Sequence, residues 1–254
     1  MPTYLYCVLA PASAERLPPP GLAGIASAPI RVVAVPGVAG LEAWVATVDE
    51  DALRVTGGAL AAQALLHNAV VDAALSTGRT PVPARYGSRF PDDDACIADL
   101  ARRAAELEAT LQHVADAVEM PTLLVPPKLR TKSLEKPSSN DAAAGRRYLE
   151  SIRLRVADEQ RRRSAAEREA SRLRMSVDEL IRDEARSFTA AGVMSIAHLV
   201  SREAIARYRE AIAMFEPGED LRVVRGEPRA PYSFASPQSA VRGGHDSGSP
   251  SRSE

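Results

Sequence analysis

Val193-Met194-Ser195-Ile196-Ala197-His198-Leu199-Val200, then Ser201 to Phe215, then Leu221-Arg222-Val223-Val224-Arg225: this stretch reads as strand, helix, strand. The first segment is an apolar, β-branched run. Ser201 supplies a side-chain oxygen where the helix begins, and a short apolar run follows the helix. The same order occurs earlier in the chain. Pro81 to Tyr86 reads as a short strand, and Asp92-Asp93-Asp94 places negative charge at a helix start. Ala95 to Val118 then runs as an alanine- and leucine-rich helix, and Met120 to Val125 as a strand. A β-α-β unit closes by a right-handed crossover, so two in succession predict a split β-α-β, ferredoxin-like layer of helices on one antiparallel sheet.

Between the two units lies an insertion of about residues 138–187. It follows Pro126-Pro127 and a lysine-rich loop, and it opens at Pro137-Ser138-Ser139-Asn140, with Asp141 placed to cap a long charged helix. Arg146 to Arg174 holds ten arginines against five acidic residues, with Tyr148, Leu149, Ile152 and Val156 spaced to make one narrow apolar stripe. Ser176-Val177-Asp178-Glu179 matches a capping box, so a second helix to about Arg186 is expected and the insertion reads as a helical hairpin or arm. Ahead of all this, Tyr4 to Ala10, Ile30 to Val35 and Ala43 to Val48 read as strands punctuated by Pro36-Gly37 and Gly40. Ala59 to Leu75 reads as a helix stopped by Gly78. The expected fold is therefore α+β with two domains. Residues 1–78 form a small N-terminal α/β sheet domain, and residues 79–234 a ferredoxin-like domain with the long helical insertion. Residues 235–254 form a serine-, glycine- and arginine-rich tail too poor in apolar residues to order.

Composition narrows the function. The 254 residues carry a net charge of -1, which gives no global field toward nucleic acid or an acidic substrate. Two cysteines, Cys7 and Cys96, provide neither a disulfide framework nor a zinc pattern. The start lacks a basic n-region, and no apolar run is expected to reach the roughly 20 residues of a membrane helix, so a soluble, intracellular protein is expected. No phosphate-cradling glycine loop occurs. His67, His113, His198 and His245 stand alone in sequence, without a second ligand at helical spacing, and His67 reads as a hydrogen-bonded, semi-buried histidine. Asp92-Asp93-Asp94 reads as a solvated helix start, and the two thiols read as inert or mildly exposed. No metal, cofactor or catalytic residue is expected. Acidic residues interleave the arginine-rich helix and Tyr148 is its one ring, so an acidic protein surface suits it better than a phosphate backbone.

Four stretches resemble the gas vesicle protein F/L family. Tyr4-Leu5-Tyr6-Cys7-Val8 looks like that family's aromatic first strand. His67-Asn68-Ala69-Val70-Val71, followed by Pro81-Val82-Pro83-Ala84-Arg85-Tyr86-Gly87-Ser88-Arg89-Phe90, resembles its histidine-containing helix and the Pro-Val-x-Phe-Gly-Thr-x-Phe strand, with Tyr86 and Ser88 in place of phenylalanine and threonine. Gly145-Arg146-Arg147-Tyr148-Leu149 looks like the opening of its inserted helix. Pro228-Arg229-Ala230-Pro231-Tyr232-Ser233-Phe234 is similar to its closing Gly-Pro-Trp-Pro-Pro-Tyr-Ser-Phe, with Glu227 in place of the glycine, Arg229 of the tryptophan and Ala230 of one proline.

The resemblance implies a non-enzymatic cytoplasmic protein, associated with gas vesicles, that assists vesicle nucleation or formation. Its implied partners are the main gas vesicle shell protein and other accessory vesicle proteins, with no nucleic acid and no membrane. Contact is expected through a sheet edge or the face between the domains, with the charged arm recruiting accessory proteins. Tyr86, Phe90, Pro231, Tyr232 and Phe234 are expected to pack and shape the domain junction before they touch a partner. The alternative is a ferredoxin-like small-molecule-binding regulatory module, for which Arg85 with His67 is the pair to test.

Overall fold

The computed structural model describes residues 2–11, 17–36, 40–126, 142–189, 192–218 and 221–235. The chain divides into two compact units, residues 1–118 with 230–254, and residues 119–229. Residues 79–118, grouped by the sequence reading with the later domain, thus cluster with the first unit. Asp141, the 137–140 segment and the tail beyond Ala235 lie outside the described residues.

In the first unit β1 (Thr3–Leu9), β2 (Arg31–Val35), β3 (Leu41–Thr47) and β4 (Val82–Pro83) form a sheet in the order β2-β3-β1-β4, and β5 (Arg89–Phe90) also pairs with β1. β1 pairs antiparallel with β3, β4 and β5, and β2 pairs antiparallel with β3. Every residue of β1 is buried, because helices cover both of its faces. Tyr4, Tyr6, Cys7 and Leu9 share one core with Trp44, Val70, Val71 and Ala74, on the side of α1 (Gly57–Ser76). Consecutive residues Tyr6 and Cys7 both join this core, which the register shift between Leu5 and Cys7 permits. Cover also comes from α2 (Asp93–Arg102) and α3 (Ala104–Val114). A strand buried on both faces has no reason to alternate, which is why β1 reads as a continuous apolar run.

Two expectations change here. The helix expected over Ala95 to Val118 is two helices kinked at Arg103 (φ -99, ψ 12), whose guanidinium pairs with both Asp99 and Glu106 across the kink. In addition, α1 is long and apolar enough to cross a membrane by length and composition alone, contrary to the expected absence of such a run. Within this unit its inner side, His67, Val70, Val71, Ala74 and Leu75, is buried.

The second unit runs β6 (Ala117–Val125), α4 (Ala142–Val177), β7 (Ile181–Phe188), β8 (Met194–Ser201), α5 (Ile205–Ala213) and β9 (Arg222–Arg225), with strand order β7-β8-β6-β9. The expected second helix of the insertion is absent. Ser176 donates its hydroxyl to the Leu173 carbonyl inside the end of α4, so it does not cap a new helix. Residues 181–188 are instead an edge strand paired antiparallel with β8 from Ile181↔Val200 to Phe188↔Met194. The long helix is therefore the first helix of a β-α-β-β-α-β order and not an insertion into it. Ala166, Ala170, Leu173 and Val177 of α4 are buried with Met194, Ile196 and Leu199 of β8 and with Tyr208 and Ile212 of α5.

Candidate functional site

The first unit gathers most of the motif residues into one buried cluster. Tyr4 and Tyr6 are fully buried and His67 is 1% exposed. The His67 ring stacks on Tyr6 with centroids 5.3 Å apart and meets Tyr4 and Tyr86 edge-on at 5.7 and 6.1 Å. Its Nε2 lies 3.1 Å from the Ala84 carbonyl, which can only accept, so Nε2 carries the proton and Nδ1 accepts from the Tyr4 hydroxyl at 3.0 Å. The Tyr4 oxygen in turn accepts the Gly87 N–H at 2.9 Å, and the Tyr6 oxygen accepts that of Ile25. Burial pushes both phenol pKa values up and the His67 pKa down. These groups are neutral, hydrogen-bonded and closed to solvent. They hold α1, β1 and the turn after β4 together.

That turn has a clear local cause. Ser88 N–H returns to the Arg85 carbonyl, and Gly87 sits at φ +88, where a side chain is strained. Tyr86, beside it, donates to Gln63 Oε1 at 2.8 Å, and Tyr232 donates to Asn68 Oδ1 at 2.8 Å. The Phe234 ring approaches His113 at 6.4 Å, and Pro81, Pro83 and Pro231 are buried.

On the other side of β1 is an open groove of about 420 Å³. Leu5, Val82, Pro83, Leu100 and Leu107 form its apolar walls, and Arg85, Phe90, Arg103 and Tyr232 also line it. Arg103 is tied to Glu106 and Asp99. Arg85 is exposed and has no ion-pair partner among the described residues. His67 is not among the lining residues and has both nitrogens engaged, so the sequence-derived pair of Arg85 and His67 does not share a cavity. The arrangement offers a trough of mixed polar and apolar lining with a cationic rim, which suits the side chains of a docked segment.

The second unit contains a polar network that motif reading missed. His198 Nε2–H donates to Glu184 Oε2 at 2.8 Å, and its Nδ1 lies 2.8 Å from the Tyr208 hydroxyl. Burial works against charge on Glu184, but hydrogen bonds from His198 and Arg186 outweigh it and hold the carboxyl below its usual range. His198 is fully buried, so the network is structural. The signal available was the Gly192 turn (φ +76) between β7 and β8, which marks Glu184 and His198 as cross-strand neighbours. Tyr148 and Leu149 stand on α4, 48% and 57% exposed.

The remaining candidates have structural roles. Asp92 caps α2 by accepting from Ala95 N–H at 2.8 Å. Asp93 is not merely solvated, for it takes both Arg31 guanidinium nitrogens at 2.6 Å and the Thr3 hydroxyl at 2.5 Å, contacts that lower its pKa. Both thiols are buried. Burial raises the pKa of Cys7 and pushes that of Cys96 up to about 11. Among the described residues no group of three His, Cys, Asp or Glu side chains is placed to hold a metal ion.

The family model described as gas vesicle synthesis protein GvpL/GvpF matches residues 2–236. Among solved structures, the chain is similar to the gas vesicle protein GvpF from Anabaena sp. PCC7120, at 18% identity over 92% of this chain and 96% of that one, with a TM-score of 0.65. It is also similar to GvpF from Microcystis aeruginosa, at 16% identity over 92% and 99%, with a TM-score of 0.66. No curated protein matches the chain.

Proposed function

This chain belongs to the gas vesicle synthesis protein GvpL/GvpF family, and from that premise we propose that it serves vesicle formation by contact, holding the main shell protein in the groove of its first unit. The observation that carries this reading is the groove itself. Pro83, Arg85, Phe90 and Tyr232, drawn from two separate family motifs, line one trough of mixed polar and apolar character, where the Arg85 guanidinium has no ion-pair partner among the described residues. An apolar shell subunit exposed before assembly aggregates, and a trough that covers part of it delays that fate. The protein acts without catalysis, in the cytoplasm and in association with gas vesicles, alongside other accessory vesicle proteins. The β-α-β-β-α-β order of the second unit, with strands ordered β7-β8-β6-β9, supports reading it as ferredoxin-like. It also supports two domains that meet in sequence at Val118/Glu119 and Arg229/Ala230.

The test is recovery of co-expressed shell protein on the tagged chain, with an unrelated hydrophobic protein as control. Selective recovery that drops with Arg85→Glu and with Ser88→Arg, which crowds the groove, is expected. Recovery unchanged by both substitutions would move the contact off the groove. No recovery with folded wild-type protein would overturn direct binding.

A further inference from the structure

The two halves of α4 differ in everything but backbone conformation. Toward its C-terminus Ala166, Ala170, Leu173 and Val177 are buried. The charges there are matched, Glu167 with Arg186, Glu169 with Arg172 and Arg174 with Asp178. From Arg146 to Val156 none of the described side chains is buried. Leu149 and Val156 are 57% and 56% exposed, and with Tyr148 and Ile152 they fall on one side of the helix at i, i+1, i+4 and i+8. Arg146, Arg153 and Arg155 stand exposed around that stripe, without an ion pair among the described residues.

We propose that this free half of α4 is a docking helix and that its partner is an acidic amphipathic helix of another protein. The partner's apolar seam packs on Tyr148, Leu149, Ile152 and Val156, while its flanking carboxylates meet Arg146, Arg153 and Arg155. Charge selects this occupant. Arg146 to Val156 holds four arginines against one glutamate, so a second copy laid against the same stretch sets like charges against each other. A phosphate backbone would satisfy the guanidiniums but leave the apolar stripe exposed, and Tyr148 is the one ring available for stacking. The proposal rests on the reading that this protein works by contact, but it concerns a different surface from the groove.

The test uses the full chain and two labelled helical peptides about three heptads long. Both carry the same leucine seam, one flanked by glutamate and the other by lysine. Fluorescence anisotropy is expected to show the glutamate peptide binding at least about tenfold more tightly. The order should invert in the triple variant Arg146→Glu/Arg153→Glu/Arg155→Glu, and binding should vanish in Leu149→Asp/Val156→Asp. These positions are exposed, and circular dichroism checks that helicity is kept. Equal binding of both peptides, or binding of neither, overturns the proposal. So does self-association in sedimentation that Leu149→Asp/Val156→Asp abolishes, or tighter binding of a single-stranded oligonucleotide than of either peptide. No vesicle protein enters this assay, so its failure leaves the shell-protein reading standing, and the reverse also holds.

Discussion

Arg229 reaches back 110 residues to close on Glu119, with its Nε at 2.9 Å and a terminal guanidinium nitrogen at 2.5 Å from the same carboxylate oxygen. The two residues also exchange backbone hydrogen bonds, Glu119 N–H to the Arg229 carbonyl and Arg229 N–H to that of Glu119. The Glu119 side chain is fully buried while that of Arg229 is 46% exposed, so a carboxylate taken out of water is compensated by a cation that stays partly in it. In the family pattern that this stretch resembles, tryptophan stands here; in this chain the position holds an arginine that pairs with Glu119.

Arg229→Ala takes a guanidinium away from that buried carboxylate and should cost the second unit about 2 kcal/mol, below the loss for a fully buried pair because water reaches the arginine side. Arg229→Trp should cost as much alone and much less combined with Glu119→Gln. Urea unfolding of the single and double variants, followed by far-ultraviolet circular dichroism, measures the coupling.

The Tyr4 and His67 pairing sets a pH dependence. Burial lowers the His67 pKa in the folded state, so the unfolded chain binds a proton first as pH falls. Stability should be constant above the ordinary histidine value of about 6.5 and decline below it, by at most about 1.4 kcal/mol per pH unit, until the folded-state value is passed. The lone tryptophan, Trp44, shares this core, so its fluorescence reports thermal melts of the first unit between neutral and mildly acid pH. His67→Gln should lower stability at neutral pH and flatten the dependence.

Two glycines should respond in opposite directions to alanine. Gly87 holds φ +88 in the turn that serves Tyr4, and Gly87→Ala should destabilise by about 1–2 kcal/mol. Gly58 lies in α1 without a positive φ and with open space where a Cβ would stand. Gly58→Ala should stabilise by about 0.5–1 kcal/mol. Denaturant midpoints of the two variants decide the signs.

Local signals carried much of the fold and little of the site. β1, α1 and the succession of β8, α5 and β9 were legible because apolar runs and a helix stop mark them. β7 was not. It is an edge strand, Ile181-Arg182-Asp183-Glu184-Ala185-Arg186-Ser187-Phe188, whose half-buried positions include Glu184 and Arg186. They satisfy each other and His198, so no apolar alternation survives to announce a strand. The same blindness hid the Glu184, His198 and Tyr208 network, since Glu184 was expected on a helix. Tyr4, His67 and Tyr86 were each singled out, but their convergence depends on long-range pairing and on the β1 bulge, which no local pattern encodes.

Cys7 and Cys96 are 0% and 1% exposed, and burial disfavours both thiolates. A thiol-specific reagent at neutral pH should therefore label neither in the native protein and both in urea. Prompt labelling of one thiol without denaturant would show local opening of its helix or strand.

The first unit is completed by residues from both sides of the second: Tyr232 bonds to Asn68, and Phe234 lies against His113. A ribosome therefore delivers every strand of the second unit before the last pieces of the first. During synthesis the last strand of the later-encoded unit leaves the ribosome before the closing segment of the earlier one. That interval, set by translation speed, is when the groove lacks Tyr232 from its lining.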